Sequence, residues 1–278
     1  SFFSGKVVWI TGASSGLGEQ LAITAAEGGS AGVILSGRRQ DALERVRLAV
    51  TSVGGTKEGI TRVLAFDMGE LASLEEQAAK AVSEFGRVNI LALNAGVSTR
   101  ASVQETSLEV AKHVMDVNYF GAVALAKGLL AAQAPQLGGT KDIHFVIVNS
   151  VQGKFGIAFR SSYAASKHAL IGFFDCLRAE TAHLGVRITT VLPGYIRTGL
   201  SMNALTGDGS RHAQMDKSTA TGRDPREVAN AVWRAVAEGR DEVVIADLKV
   251  KVAVLLRALA PQMLFRLMAK RALKSGET

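Results

Sequence analysis

The sequence contains few of the residue types that form disulfides and metal sites. Its one cysteine, Cys176, has no partner for an intrachain disulfide, and its apolar helical surroundings predict a buried packing residue. Nothing in this cysteine usage indicates an oxidising compartment. The five histidines are scattered without the spacing of metal ligands, so we predict no metal site.

Internal repeats, low-complexity tracts and interdomain linkers are also missing from the sequence. The chain has 278 residues, of which 47% are hydrophobic and 21% charged, and this composition is typical of one globular α/β domain with a full core. The first residue is Ser1 and not methionine, so we expect a processed or truncated leader to be missing.

A glycine-rich segment near the N-terminus predicts a nucleotide-binding turn. Residues 6–10 have the composition of a short buried strand and residues 19–27 that of a helix, and the turn between them reads Thr11-Gly-Ala-Ser-Ser-Gly-Leu-Gly18. A glycine-rich turn at a helix N-terminus presents backbone N–H groups and the positive end of the helix dipole to a phosphate. The spacing differs from G-x-G-x-x-G, and for this segment alone a plain strand–helix turn is the alternative.

Strand-like and helical segments alternate along the chain, as a parallel sheet requires. We therefore predict one doubly wound α/β domain of Rossmann type over residues 1–246, with helices on both faces of the sheet. Further strands are predicted at residues 33–36, 62–66, 90–93, 144–149, 187–191 and 242–245. Helices are predicted at residues 40–50, 71–85, 108–132, 161–183 and 225–238. Such a sheet binds ligands at the carboxyl ends of its strands, where four polar or turn-forming positions fall, namely Asp67, Asn94, Ser150 and Pro193.

Tyr163, Lys167 and Ser150 form the most informative pattern in the sequence. Spaced i and i+4, Tyr163 and Lys167 would lie on one helix face, where an ammonium favours the phenolate and lowers the tyrosine pKa from its ordinary value of ~10. A tyrosine of this kind exchanges a proton with a carbonyl or hydroxyl near neutral pH. Tyr-x-x-x-Lys alone occurs by chance on many exposed helices, but its combination with Ser150 and the glycine-rich turn favours a catalytic site.

The motifs resemble, in type and order, those of the short-chain dehydrogenase/reductase family. The resemblance covers residues 6–245 and rests on the glycine-rich turn, Asp67-Met68, Asn94-Ala-Gly96, Asn118, Ser150, Tyr163, Lys167 and Pro193-Gly-Tyr-Ile-Arg-Thr198. One departure is Leu93, where the family usually has an asparagine that ties neighbouring strands together. Leu93 therefore puts that sheet hydrogen bond in doubt.

The family resemblance implies a role for each motif in a carbonyl reduction. Ser150 would hold the substrate oxygen, Tyr163 would donate the proton, and Lys167 would lower the tyrosine pKa and bind the nicotinamide ribose. Asn118 resembles the family asparagine that holds a proton-relay water. The implied cofactor contacts are Gly12, Ser14, Ser15, Gly16, Leu17, Gly18, Asp67, Met68, Asn94, Ala95, Gly96, Tyr163, Lys167, Pro193, Gly194, Ile196 and Thr198.

The end of the second predicted strand indicates which nicotinamide cofactor is bound. NAD sites place a carboxylate there for the ribose 2′-hydroxyl, whereas NADP sites place a cation for the 2′-phosphate. Gly37 stands in the acidic position and is followed by Arg38, whose guanidinium can bind a phosphate through two hydrogen bonds, with Arg39 assisting. We predict NADP(H); two solvated arginines at a strand end are the alternative.

The substrate is predicted to be a small lipophilic ketone. The family forms its substrate wall mainly from the loop after Pro193-Gly194, here about residues 195–222, and we expect substrate contacts at Gln152, Tyr195 and Met202. The length, apolar side chains and glycines of this loop suit a mobile lid over an apolar group. An ordinary disordered surface loop is the alternative.

The C-terminal extension, residues 247–278, carries most of the net charge. It contains seven basic and two acidic residues, which gives +5 of the whole chain's +7. Its apolar residues predict two amphipathic helices, the second starting at Pro261, without an uncharged run of the ~20 residues that a membrane span requires. This pattern fits an interfacial membrane anchor on anionic lipid, and a tail packed on the body or on a second subunit is the alternative. Nucleic-acid binding is disfavoured because aromatic and base-reading features are missing from the tail.

Residues 192–210 and Ala258-Leu-Ala-Pro-Gln262 resemble one branch of the family, the membrane-associated dehydrogenase/reductases that include acyl/alkyl-dihydroxyacetone-phosphate reductase. This likeness implies a lipophilic substrate, an N-terminal membrane anchor ahead of the catalytic domain, and an intracellular location at the peroxisome or endoplasmic reticulum. The family also implies a homodimer or homotetramer through the helices at residues 108–132 and 161–183. The alternative function is a non-catalytic or moonlighting nucleotide-binding subunit of a larger membrane assembly.

Overall fold

A computed structural model describes residues 1–53, 60–133 and 142–274. Its centre is one sheet of seven parallel strands in the order β3-β2-β1-β4-β5-β6-β7. The strands are β1 Val7–Thr11, β2 Gly32–Gly37, β3 Ile60–Ala65, β4 Ile90–Leu93, β5 His144–Val148, β6 Arg187–Pro193 and β7 Glu242–Ile245. The predicted doubly wound parallel sheet is confirmed, and the predicted strands differ from these bounds by no more than two residues.

The central strands of this sheet are apolar on both faces because helices cover both faces. All five residues of β1 are buried, and Val8 pairs with Val33 of β2 on one side and with Ile90 of β4 on the other. The strand order reverses between the neighbouring strands β1 and β4. The connections that follow these two strands therefore lead to opposite halves of the sheet and leave room for a ligand at the carboxyl ends.

The helices form two layers around the sheet. Their bounds are α1 Gly16–Glu27, α2 Gln40–Val53, α3 Leu74–Phe85, α4 Leu108–Met115, α5 Gly121–Gln133, α6 Ser161–Thr181, α7 Lys217–Ala220, α8 Pro225–Ala237, α9 Leu248–Leu259 and α10 Pro261–Lys274. Buried residues of α1, α2 and α8 pack on one face of the sheet, and those of α3, α5 and α6 pack on the other. The first helix starts at Gly16, inside the glycine-rich turn, and not at residue 19 as its composition predicts.

The helix predicted at residues 108–132 is interrupted in the structure. A π-helical turn at Asp116–Phe120 separates α4 from α5. Gly121 lets the turn pack closely, since a Cβ there would lie 2.3 Å from the carbonyl oxygen of Met68. Within the described ranges, Leu108–Gln133 is the one helical segment that is long and apolar enough to cross a membrane, and 50% of its apolar window is buried, as in the core helix of a globular domain.

The C-terminal helices α9 and α10 pack on the body of the protein. Leu264 of α10 is 1% exposed and belongs to an apolar cluster with Val151 and Phe155, which follow β5. The last residues of the extension, 275–278, lie outside the described residues. The expectation that Cys176 is buried is wrong: Cys176 is exposed, because α6 directs Leu170, Phe174 and Leu177 towards the sheet and Cys176 lies on the other face.

Candidate active site

A cleft with a volume of about 450 Å³ lies at the carboxyl ends of the strands and brings together most of the predicted site residues. It is lined by the predicted residues Gly12, Ser14, Ser15, Gly16, Leu17, Gly18, Arg38, Arg39, Asp67, Met68, Asn94, Ala95, Gly96, Ser150, Gln152, Tyr163, Lys167, Pro193, Gly194, Tyr195, Ile196 and Thr198. Asn118 lies beneath the cleft, where it contacts the cleft residue Val97. Met202, a predicted substrate contact, lies outside the lining of the cleft: a turn over residues 199–203 places Leu200 and Asn203 on the cleft and leaves Met202 38% exposed.

The glycine-rich turn has the geometry of a phosphate-binding cradle. Gly12 and Gly16 have φ angles of +65° and +61°, which side chains other than glycine rarely adopt. A Cβ at Gly18 would lie 2.2 Å from the carbonyl oxygen of Gly12, so glycine alone permits this close packing of α1 on the turn. The turn leads directly into the N-terminus of α1, where backbone N–H groups and the helix dipole favour an anion. These residues therefore fit a dinucleotide.

Two arginines lie at the end of β2, on the adenosine side of this cradle. The side chain of Arg38 is 59% exposed, and its Nη1 atom lies 3.6 Å from Oδ2 of Asp67. Arg39 donates a hydrogen bond from Nη2 to Ser14 Oγ at 3.2 Å. Both guanidinium groups border the cleft, and Gly37, the last residue of β2, carries no carboxylate.

Asn94 and Thr11 connect β1 to β4 at the point where Leu93 departs from the family pattern. The backbone N–H groups of Asn94 and Ala95 donate to Thr11 Oγ1 at 3.0 Å and 3.1 Å, and Asn94 Nδ2 donates to the carbonyl oxygen of Thr11 at 3.0 Å. Leu93 is 5% exposed and packs in the apolar core. The strand connection is therefore made without an asparagine at position 93.

Ser150 follows β5 and is held in place by Asn149, which the sequence did not single out. Asn149 Oδ1 accepts a hydrogen bond from the backbone N–H of Ser150 at 2.8 Å, and Asn149 Nδ2 donates to the carbonyl oxygen of Lys167 at 2.9 Å. Ser150 Oγ accepts from the backbone N–H of Gln152 at 3.1 Å. One buried asparagine thus fixes Ser150 relative to the helix that carries Tyr163 and Lys167.

Tyr163 and Lys167 lie on one face of α6, as the sequence predicts, and both side chains are buried. Lys167 Nζ donates to the carbonyl oxygen of Val148 at 3.0 Å and lies 5.7 Å from the centroid of the Tyr163 ring. Burial lowers the pKa of Lys167 to about 8.

The predicted lowering of the Tyr163 pKa is wrong for the protein without ligand. Burial raises the pKa of Tyr163, and this effect exceeds the opposing effects of a hydrogen bond with Ser150 and of the positive charges of Arg100 and Arg160. The Lys167 ammonium bonds to the carbonyl oxygen of Val148 and is not among the groups that shift the pKa of Tyr163.

Asn118 occupies the π-helical turn and bonds to two segments of the site. Its Oδ1 atom accepts from the backbone N–H of Val97 at 2.8 Å, and its Nδ2 atom donates to Ser166 Oγ at 2.9 Å. Ser166 Oγ in turn donates to the carbonyl oxygen of Tyr163 at 2.8 Å. Asn118 therefore joins the residues after β4 to the catalytic helix, a position compatible with the implied role in a proton relay.

Five residues that the sequence did not single out also contribute to the site. Arg100 and Arg160 line the cleft and bind Asp216, which lies behind them. Val250 of α9 and Arg271 of α10 line the cleft as well, and Arg271 Nη2 donates to Tyr195 Oη at 2.9 Å. These contacts join residues that are far apart in the chain, so no local spacing signals them.

These features define a class of protein, an oxidoreductase that binds a nucleotide on a doubly wound sheet. The family model for short chain dehydrogenases matches residues 6–208. The chain belongs to the short-chain dehydrogenase/reductase family, whose members bind a nicotinamide cofactor.

Relatives and solved structures agree with this family. The chain is 43% identical over 280 residues to a Mus musculus protein named dehydrogenase/reductase SDR family member 7B, and the match covers 100% of this chain and 84% of the relative. A short chain dehydrogenase/reductase from Burkholderia phymatum in complex with NAD has a TM-score of 0.79 and 26% identity, over 95% of this chain and 96% of that chain. A short chain dehydrogenase from Burkholderia cenocepacia J2315 in complex with NADP has a TM-score of 0.75 and 26% identity, over 96% of this chain and 98% of that chain.

Proposed function

We propose that this oxidoreductase uses NADPH to reduce a lipophilic ketone, with Tyr163 as the proton donor. The observation that carries the proposal is the burial of Tyr163 and Lys167 beside Ser150 in the cleft. In the described part of the chain, Lys167 has no carboxylate partner. Burying an unpaired ammonium costs folding free energy, so a functional reason for Lys167 at this position is favoured.

The chain's own residues account for the proton transfer. The backbone N–H of Gln152 donates to Ser150 Oγ, and the serine O–H, which bonds with Tyr163, would turn to the substrate oxygen when substrate binds. Tyr163 donates its phenolic proton to that oxygen, and its raised pKa keeps the phenol protonated at neutral pH, as reduction requires. The nicotinamide, when bound, supplies hydride to the carbonyl carbon. Lys167 lies one helical turn from Tyr163, in position to bind a ribose hydroxyl.

The residues at the end of β2 support the choice of NADPH over NADH. A 2′-phosphate is bound best by a guanidinium, and Arg38 and Arg39 both border the cleft where this phosphate would lie. The carboxylate that binds the free 2′-hydroxyl in NAD sites is replaced by Gly37. The solved neighbours bind NAD in one case and NADP in the other, so the proposal rests on these three residues.

The rest of the cleft supports an apolar ketone with polar substituents. Its wall beyond Ser150 includes Phe155, Ile157 and Leu200. Two buried polar atoms, Gln152 Oε1 and Arg160 Nε, have no hydrogen-bond partner within the described ranges, and a substrate could supply one.

We also propose that α9 and α10 bind the surface of an anionic membrane. Their outer faces expose large apolar side chains, among them Leu255 at 60% and Leu259 at 80%, next to basic residues. Each basic residue near such a surface contributes ~1 kcal/mol of attraction, and each inserted leucine contributes ~1.5–3 kcal/mol.

Homodimerisation through α4, α5 and α6 is a further proposal, supported by the exposed Phe120, and sedimentation velocity tests it.

Replacement of Leu255 and Leu259 by serine tests the membrane proposal. We expect the double variant to lose binding to vesicles that contain anionic lipid and to keep NADPH affinity, because neither leucine lines the cleft. Leu48→Ser on α2 is the matched control, since Leu48 is also exposed, at 62%. Unchanged co-sedimentation of the double variant with vesicles would refute the proposal. Deletion of the extension is a poorer test, because Val250 and Arg271 line the cleft.

Tyr163→Phe tests the catalytic proposal. The substitution removes the phenolic oxygen and keeps the buried ring, so we expect NADPH affinity within about twofold of the wild type and a loss of turnover of at least about a hundredfold, the scale of general acid catalysis. Turnover is followed by NADPH absorbance with a panel of ketones, sterols and acyl-dihydroxyacetone phosphates. Turnover that persists in the variant would exclude Tyr163 as the proton donor.

A further inference from the structure

A buried ion cluster ties the substrate loop, residues 194–224 between β6 and α8, to the catalytic helix α6. The Asp216 side chain in this loop is 10% exposed, and its Oδ2 atom accepts hydrogen bonds from Arg100 Nε at 2.8 Å and from Arg160 Nη2 at 3.1 Å. The two arginine side chains are 6% and 8% exposed. Segments from three distant parts of the sequence therefore meet at one carboxylate.

The loop is also tied to the body by its backbone, near Leu205. Leu205 donates its backbone N–H to the carbonyl oxygen of Ser98 at 2.8 Å, and Arg100 donates its own to the carbonyl oxygen of Leu205 at 2.8 Å. Within the loop, the backbone N–H of Asp216 donates to Ser201 Oγ at 3.3 Å, and Ser201 is fully buried. The loop is thus held by backbone hydrogen bonds at Leu205 and at Gly207, whose carbonyl oxygen accepts from the N–H of Ser107 at 3.0 Å, and by the ion cluster at Asp216.

The wall of the cleft lies beside these ties: Leu200 and Asn203 precede the Leu205 bridge, and Arg211 lies between that bridge and Asp216. Leu200, Asn203 and Arg211 line the cleft, and all three precede Asp216. On the other side of the cluster, Arg160 directly precedes α6 and stands three residues before Tyr163. Arg100 and Arg160 are close enough for their positive charges to act on the phenol of Tyr163.

The Asp216 carboxylate is the counter-ion that keeps Arg100 and Arg160 close together. Two guanidinium groups face one carboxylate, and His212 Nε2 lies 3.6 Å from Asp216 Oδ1. Without the Asp216 carboxylate, two buried positive charges would face each other with no counter-ion. Such an arrangement is strongly unfavourable, so the arginines and the loop would separate.

We propose that Asp216 is a positioning residue, which holds the substrate wall against the catalytic helix through Arg100 and Arg160. It acts on the part of the loop after Gly199, whereas the implied cofactor contacts Gly194, Ile196 and Thr198 precede that part. The nucleotide cradle does not depend on it, because that cradle is built from β1, α1 and the ends of β2 and β4. The kinetic part of this proposal rests on the proposed ketone reduction, whereas the structural part does not.

Asp216→Asn tests the proposal, because it removes the charge and retains the shape of the side chain. We expect amide hydrogen exchange over residues 199–215 to become at least about fivefold faster, NADPH affinity to stay within about twofold, and KM for the ketone to rise at least about fivefold, a typical coupling for a buried network. Asp208→Asn is the matched control in the same loop. Its carboxylate bonds locally to Thr206 and Ser210, so any change in exchange should be confined to residues 206–210 and KM should be unchanged.

Arg100→Gln is a second variant, for use if Asp216→Asn does not fold. It leaves one arginine, Arg160, facing the one carboxylate of Asp216, so the cluster stays charge-balanced. It should also speed exchange over residues 199–215, and its effect should not add to that of Asp216→Asn, because both remove the same contact. Unchanged loop exchange in both variants would overturn the proposal. A fall in NADPH affinity by the same factor as the rise in the exchange rate of the loop would also overturn it. If no ketone is turned over by the wild type, the proposed function fails, but the exchange data still decide the role of Asp216.

Discussion

Replacement of Arg38 by alanine separates NADP from NAD specificity without knowledge of the substrate. Arg38 follows β2 at the edge of the cleft and bears a guanidinium whose nearest anionic partner is Asp67, at 3.6 Å. This distance is long for a charge-assisted hydrogen bond, so the Asp67 contact is weak and the guanidinium is available to a phosphate. NADH carries a hydroxyl at the same position and gains little from the cation.

The size of the effect follows from the exposure of Arg38. A hydrogen bond to a charged group contributes ~1.5–3 kcal/mol, and the 59% exposed side chain places Arg38 at the lower end because solvent screens the contact. A loss of ~1.5 kcal/mol corresponds to about a tenfold increase in the Kd for NADPH. Isothermal titration calorimetry with NADPH and NADH measures both affinities, and we expect the Kd for NADH to change by less than about twofold.

Arg62→Ala is the control for a general effect of charge. The Arg62 side chain lies on β3, is 55% exposed and contacts Glu84, away from the cleft. The Arg62→Ala substitution should leave the affinities for NADPH and for NADH unchanged. If the wild-type protein binds NADH as tightly as NADPH, or if Arg38→Ala weakens both cofactors equally, the assignment of Arg38 to the 2′-phosphate is refuted.

Two further predictions concern stability and pH. The pKa of Lys167 is about 8 in the fold and ~10.5 in the unfolded chain, so the unfolded state binds more protons between these pH values. The free energy of unfolding should therefore rise with pH, by up to ~3 kcal/mol. Chemical denaturation at pH 8 and pH 10 should show this rise in the wild type and not in Lys167→Met. Burial lowers the pKa of His144 to about 3, so below pH 6.5 the unfolded chain takes up a proton that the fold excludes. The free energy of unfolding should therefore fall by ~2 kcal/mol between pH 7 and pH 5. Thermal unfolding of His144→Gln at both pH values that shows the same pH dependence as the wild type would contradict this.

The fold and the nucleotide turn could be predicted because their signals are local. The central strands are short apolar runs, and burial on both faces makes each run continuous, as in the buried β1. The glycines of the turn stand within seven residues of one another, and Tyr163 and Lys167 are one helical turn apart. Assignment of the roles of Asp67 and Asn94 needed the family resemblance as well, because a lone polar residue after a strand has many uses.

The features that the sequence did not reveal depend on contacts across long separations or on burial. Arg100 and Asp216 are separated by 116 positions, and no pattern in the sequence connects them. The direction of the Tyr163 pKa shift was missed because spacing predicts the Lys167 neighbour but not the loss of hydration that outweighs it. The position of Met202 outside the cleft lining has no signal in the sequence, because a tight turn decides which side of a loop faces the cleft.

The hydrogen bond between Arg271 and Tyr195 has a consequence for the order in which the site is completed. Strands β1 to β7 end at Ile245, so a nascent chain can form the whole sheet before α10 leaves the ribosome. The cradle, Ser150, Tyr163 and Lys167 would then all be in place, while the wall at Tyr195 would still lack its partner. Nucleotide binding can therefore precede the final shape of the substrate pocket during synthesis. A chain that stops before Asp247 would expose Val151, Phe155 and Leu192, which pack against Leu264, and would leave the substrate side open.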